Sequence, residues 1–206
     1  MITFVLIAVT VLVSWQAFEK PKLFERLVLW PPAVDRFHQY DRLVTYGFVH
    51  TDWRHVLFNM ITLYFFGRSV ENIFAQLTGQ GMFLLFYLSA LVVSILPSYL
   101  RHRKDPGYRT LGASGAVEAV LFAFVLFDPW NWIIFFVIPV PAIVFAVAFI
   151  GYSYWADKRG GGKYNHNAHL SGAIYGVLFM LLLEPRVFLL FLEKLANPRG
   201  PSFFGG

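Results

Sequence analysis

The chain contains no cysteine among its 206 residues, which removes disulfides, thiolate catalysis and cysteine-based metal sites and fixes no compartment. Charge is scarce as well. Only 14% of residues are Asp, Glu, Lys or Arg, against 57% hydrophobic and 19% aromatic, too apolar for an ordinary soluble domain of this length. The formal net charge of +5 does not point to nucleic acid, because the cations lie in loops between apolar runs rather than on one basic face. Membrane lipid is their expected partner. No HExxH pair is present, and Asp52 lies between His50 and His55 rather than one turn from either. No metal and no other cofactor is expected.

What the chain does have is a ladder of nearly charge-free runs, at 1–18, 55–67, 72–100, 110–127, 129–156 and 164–183. Most are near or above the roughly 20 residues that cross a bilayer as helix. They predict an all-α polytopic membrane protein with six transmembrane helices, near 2–18, 53–75, 80–100, 114–127, 130–153 and 168–183. Pro139 and Pro141 should kink the fifth. The first run has no Lys or Arg before it and no clear cleavage site after it, so it reads as a retained span rather than a signal peptide. Residues 19–52 are too polar to span but rich in aromatics and Leu, as suits the membrane interface. Residues 184–206 read as an interfacial segment and tail. No internal repeat is visible, and the whole chain, 1–206, is expected to form one domain with its core at 38–183.

Alternate helices in a serial bundle run parallel, so the second, fourth and sixth should bring His55 and Asn59, Ser114, and His169 to one face of the membrane. From Ser114 to Asp128 is about 22 Å of helix at roughly 1.5 Å per residue, against a hydrocarbon core of about 30 Å. Ser114 should therefore lie below the surface, and "RHRKDPGYRTLGA" before it should dip inward as irregular backbone beside a polar cavity. Small residues recur at Gly115, Ala119 and Ala123, and again at Ala168, Gly172 and Gly176. Two such ridges let membrane helices approach closely, which would place His169 beside Ser114.

A neutral imidazole can take the proton of a serine hydroxyl and later return it to a leaving amine. His55 and Asn59, four apart on one helical face, could donate to an oxyanion. The alternatives remain an N-cap serine, an interior histidine and an interhelical asparagine; the four residues together favour catalysis. His50 and His166 read as histidines that hydrogen-bond the backbone of their loops.

"HTDWRHVLFNM", "GASG" and "AHLSGAIYG", in that order, together with "YDRLVTYGFVH" and "GRSVE", resemble the rhomboid intramembrane serine proteases over residues 38–183. The resemblance implies a six-helix rhomboid-like bundle, a catalytic dyad of Ser114 and His169 without a third acid, and an oxyanion site helped by His55, Asn59 and backbone N–H groups. It also implies transmembrane-anchored protein substrates and a substrate gate within 130–166. One departure stands out. Where the family has an aromatic residue four after the serine, this chain has Glu118, a costly carboxyl expected to be protonated. It would either hydrogen-bond His169 or face another helix.

Sidedness is contradictory, since the loops on the serine's face hold thirteen of the seventeen Lys and Arg residues and the positive-inside rule would turn that face to the cytoplasm. Following the resemblance, the chain is expected in the plasma membrane with its site opening to the extracytoplasmic side. Two other functions compete: a catalytically inactive rhomboid-like protein that binds transmembrane helices, and a small transporter. The transporter would need paired broken helices in two related halves, and none are visible.

Overall fold

A computed structural model of the chain describes residues 1–135, 138–159 and 165–198. Helix α1 (Ile2–Glu19) buries Thr3, Leu6, Thr10, Ser14 and Ala17, a stripe of mostly small residues three or four apart that gives the helix one packing face. Its N-terminus is tied down by the buried Glu71, whose carboxylate accepts from the N–H of Ile2 at 2.6 Å, the N–H of Thr3 at 2.9 Å and the hydroxyl of Thr3 at 2.7 Å. A carboxylate is suited to the unpaired N–H groups of a helix start.

The following connection folds into short helices α2 (Pro21–Leu27), α3 (Pro31–Phe37) and α4 (Arg42–Thr45), with a 3₁₀ turn at Tyr46–Phe48. Arg42 is buried at its centre and donates to the carbonyls of Glu25 and Val28 at 2.8 and 2.6 Å. Helix α5 (Trp53–Thr62) passes through a π turn at Leu63–Gly67 into α6 (Arg68–Leu77), and α7 (Gln80–Arg101) returns.

Helix α8 (Ser114–Phe127) is apolar apart from Ser114 and Glu118 and buried at eleven of its fourteen residues, which marks it as the central helix of the bundle. It is followed by an antiparallel hairpin, β1 (Trp132–Phe135) with β2 (Ile138–Pro141), and then by α9 (Ala142–Lys158), α10 (His166–Leu183) and α11 (Arg186–Ala196). Lys194 of α11 donates to the carbonyl of Phe127 at 2.5 Å and so caps the end of α8, a cation where the helix dipole is negative.

Among the described residues three helices, Ile2–Glu19, Gly81–Arg101 and His166–Leu183, are long and apolar enough to cross a membrane, and Ser114–Phe127 is a shorter apolar helix. The expected fifth helix at 130–153 needs correction. Its first part is the hairpin, in which Pro139 and Pro141 pair with Ile134 and Trp132, and only from Ala142 does the chain become helical. Proline lacks the N–H that a helix interior uses but tolerates a two-stranded ribbon with an open edge. The second helix, expected near 53–75, is one continuous helical run over 53–77 that contains the π turn.

Candidate active site

Ser114 is the first residue of α8, not its cap: Ala113 holds the N-cap position and no side chain caps the helix. The N–H groups of Ala116 and Val117 both bond the carbonyl of Ala113, so those of Ser114 and Gly115 lie ahead of the helical ladder, pointing out of the helix start. The irregular segment before the serine is held from several sides. Leu29 and Thr110 exchange backbone hydrogen bonds at 3.0 and 3.1 Å, the N–H of Gly112 bonds the carbonyl of Tyr46 at 2.9 Å, and Tyr108 stacks on His102 with ring centres 3.9 Å apart.

His169 reaches the serine through close contact of α8 with α10. A Cβ placed on Gly172 would overlap the carbonyl oxygen of Gly115, and one on Gly176 would overlap that of Ala119. The contacts advance by four residues on both helices, so the two run parallel in register, backbone against backbone. One turn above Gly172, His169 lines a cavity of about 140 Å³ together with Ser114, His55 and Gly112. Among the described residues no hydrogen bond closes between the Ser114 hydroxyl and His169, which share this cavity.

His55 follows the N-cap Asp52, whose carboxylate accepts its N–H at 3.0 Å. That bond, with the Thr51 hydroxyl at 3.0 Å, holds the Asp52 carboxyl below its ordinary range. Its imidazole lies against Gly112, which has φ +109° and whose added Cβ would come within 2.7 Å of the ring. Asn59, one turn deeper, gives one amide hydrogen to the carbonyl of His55 at 3.0 Å. Both residues line a larger cleft of about 460 Å³ with Ser114, Glu118 and His169. All four residues singled out in the sequence thus line these two cavities, Ser114, His169 and His55 on both and Asn59 on the larger alone.

His50 is fully buried, as a loop anchor should be. Its Nε2 accepts the N–H of Ala113 at 3.4 Å and its Nδ1 lies 3.0 Å from the hydroxyl of Ser14. Accepting at Nε2 requires a neutral ring protonated at Nδ1. Burial, reinforced by the neighbouring His55, pushes its pKa down from 6.5 to about 3. His166 stands edge-on to Tyr152 of α9 with ring centres 5.5 Å apart.

Two residues that matter here escape a reading of the sequence. Asn165 caps α10 by accepting the N–H of Ala168 at 3.1 Å, accepts the Ser98 hydroxyl at 2.9 Å and donates to the Tyr108 hydroxyl at 3.0 Å. It joins α7, α10 and the pre-serine segment in one network; the available signal was an Asn directly before a helical run. Gly112 is the first residue of the quoted "GASG", but nothing in that motif showed that it packs against His55.

The sequence profile described as "Rhomboid domain" matches residues 38–186. The chain belongs to the rhomboid family. Among relatives of this rhomboid, the Arabidopsis thaliana protein named RHOMBOID-like protein 12, mitochondrial, is 31% identical over 183 residues, covering 79% of this chain and 52% of the relative. The Saccharomyces cerevisiae protein named Rhomboid protein 1, mitochondrial, is 32% identical over 140 residues, covering 65% and 39%. The Bos taurus presenilin-associated rhomboid-like protein, mitochondrial, is 32% identical over 139 residues, covering 65% and 35%. The chain therefore spans about half the length of the first of these relatives and less of the other two. Their mitochondrial names do not fit the plasma-membrane expectation; the membrane-spanning character of this rhomboid stands on its helices.

Proposed function

We propose that this rhomboid is an intramembrane serine endopeptidase that cleaves transmembrane-anchored proteins, with the chain acting as a single domain. Ser114 is the nucleophile and His169 the base that activates it and then protonates the leaving amine. The first N–H groups of α8, at Ser114 and Gly115, together with His55 and the free amide hydrogen of Asn59, would receive the oxyanion. The single observation that carries this reading is the meeting of Ser114, His169 and His55 on one cavity at the head of two parallel helices in backbone contact. A helix hides its carbonyls within its own ladder, so substrates should carry helix-weakening residues near the cut.

The test is fluorophosphonate labelling of the purified protein beside Ser114→Ala, with mass spectrometry to place the adduct. An adduct on Ser114, lost in the variant and lost in His169→Ala while both variants still accumulate, is the expected result. A folded wild type that never labels would turn the assignment toward an inactive binder of transmembrane helices.

The same reading opens the site to the extracytoplasmic side. The opposing count of cations loses weight because several serve the fold: Arg42 is buried on carbonyls, and Arg26, Arg103 and Arg109 pair with Asp41, Asp35 and Glu25. Because the chain has no cysteine, single Lys104→Cys and Thr78→Cys variants report the two faces cleanly. In intact cells an impermeant maleimide should modify the first and spare the second, and the reverse pattern would invert the orientation.

A further inference from the structure

Resting on the dyad assignment, we infer that Glu118 is a positioning residue for His169, making this rhomboid's site a Ser–His–Glu triad in place of a bare dyad. Glu118 Oε1 lies 3.7 Å from His169 Nδ1, so the ring turns that nitrogen toward the carboxyl and leaves Nε2 for the cavity it shares with Ser114. The second carboxyl oxygen, Oε2, is buried with no hydrogen-bond partner.

The spacing explains why one ring can serve both groups. Ser114 and Glu118 are four apart on α8, neighbours on one face with Cβ atoms about 5–6 Å apart. An imidazole held on the facing helix α10 can touch a hydroxyl with one nitrogen and a carboxyl with the other. A carboxylate accepting from Nδ1–H fixes the tautomer in which Nε2 is free to accept the serine proton. It also stabilises the imidazolium formed when that proton arrives, without itself being protonated. A neutral carboxylic acid would do the opposite, donating to Nδ1 and leaving Nε2 protonated against the serine. Glu118 borders the 460 Å³ cleft beside Arg54, Asn59 and Thr62, so polar side chains surround the end of its carboxyl that faces the site.

The groups around His169 are few: Glu118 from α8, His55, Asp52 and Arg54 from the start of α5, Arg109 from the segment before α8, and His166 on its own helix. Helix α9 brings the ring of Phe149 to 6.0 Å from that of His169, and its Tyr152 and Asp157 face His166. Of these groups Glu118 sets its carboxyl 3.7 Å from Nδ1, and its removal should register in the pH profile.

The experiment compares wild type, Ser114→Ala, Glu118→Gln and Glu118→Asp in purified form, reading kcat/KM for a transmembrane substrate across pH with thermal unfolding alongside. Glu118→Gln should lose about tenfold to a hundredfold in kcat/KM, mostly in kcat. Its acid limb should move relative to wild type, because the group facing Nδ1 has changed. Glu118→Asp should recover part of the rate and the position of the limb. Nitrogen NMR of wild type labelled with ¹⁵N-histidine, with His169→Ala for assignment, should find His169 as the Nδ1–H tautomer at alkaline pH. That measurement needs no Glu118 variant to fold. An Nε2–H tautomer, or a Glu118→Gln enzyme with unchanged rate and unchanged acid limb, overturns the inference. Cleavage surviving in Ser114→Ala would instead overturn the dyad assignment beneath it.

Discussion

On one flank of α8, α10 comes so near that Gly172 and Gly176 face the carbonyls of Gly115 and Ala119 with no room for a methyl group. On the other flank, toward α9, the contact is made by a small separate cluster of Leu121, Phe122, Val125, Ala142 and Ala146 with a few half-buried rings. Helix α9 turns Val144, Val147, Ile150 and Tyr152 outward. The first flank fixes the relative height and rotation of two helices, which holds a serine and a histidine at one level. Between α8 and α5 lies the wide cleft lined by Asn59 and Glu118, the space a substrate backbone would need. On the proposed function, precision and access would thus fall on different sides of the helix that carries Ser114, and each side can be perturbed alone.

The largest effect is expected on the tight flank. Gly172→Leu must push α10 off α8, costing about 3 kcal/mol or more from overpacking against backbone that cannot yield, and separating Ser114 from His169 even in molecules that remain folded. By contrast, Val147→Ala on α9, a side chain 66% exposed, should stay within about 0.5 kcal/mol of wild type. Thermal unfolding in one detergent compares the two. Similar losses at both positions would mean that the flanks do not differ in the way described.

Gly112→Ala comes next, because it strikes where the flanks meet at the top of the cavity. Its φ of +109° is unfavourable to any residue with a Cβ, and that Cβ would crowd His55 at 2.7 Å. Strain of about 1–3 kcal/mol is expected, together with displacement of the ring from the serine. The labelling rate with a fluorophosphonate should fall by about 10–100-fold while the protein still accumulates. An unchanged rate would remove His55 from the oxyanion site.

The tight flank was legible in the sequence because its signal is local and periodic. Glycine and alanine at four-residue spacing beside a serine in one segment and a histidine in another leave little choice of partner, and the boundaries of α7, α8 and α10 follow the ends of charge-free runs. The loose flank was not legible. "NWIIFFVIPVP" is apolar throughout, so neither a period of two nor one of 3.6 stands out, and hairpin and kinked helix give the same pattern; pairing across the ribbon decided it. The π turn at Leu63–Gly67 leaves no mark in composition either. Glu118 could be located on its helix face, but whether it met His169 depended on the rotation of α10, which glycine-to-carbonyl contacts set. The expected gate at 130–166 falls partly on residues 136–137 and 160–164, outside the described residues.

The smallest effect tests whether the rigid flank extends upward into the loops. His50 joins α1, through Ser14, to the N–H of Ala113 just before the serine, and burial lowers its pKa from 6.5 to about 3. A histidine held neutral in the fold but free to protonate when unfolded gives the unfolded state more bound protons below pH 6.5. Its contribution is therefore fully present above that value and declines as pH falls toward 3. Between pH 7.5 and 6 the expected loss is under about 1 kcal/mol, read as a lower unfolding midpoint. His50→Gln keeps one donor and one acceptor but cannot titrate; it should be less stable at neutral pH and flatter across this interval. Should wild type and variant decline in parallel, the acid sensitivity belongs elsewhere, and the loop anchor is not part of the rigid unit that holds the serine.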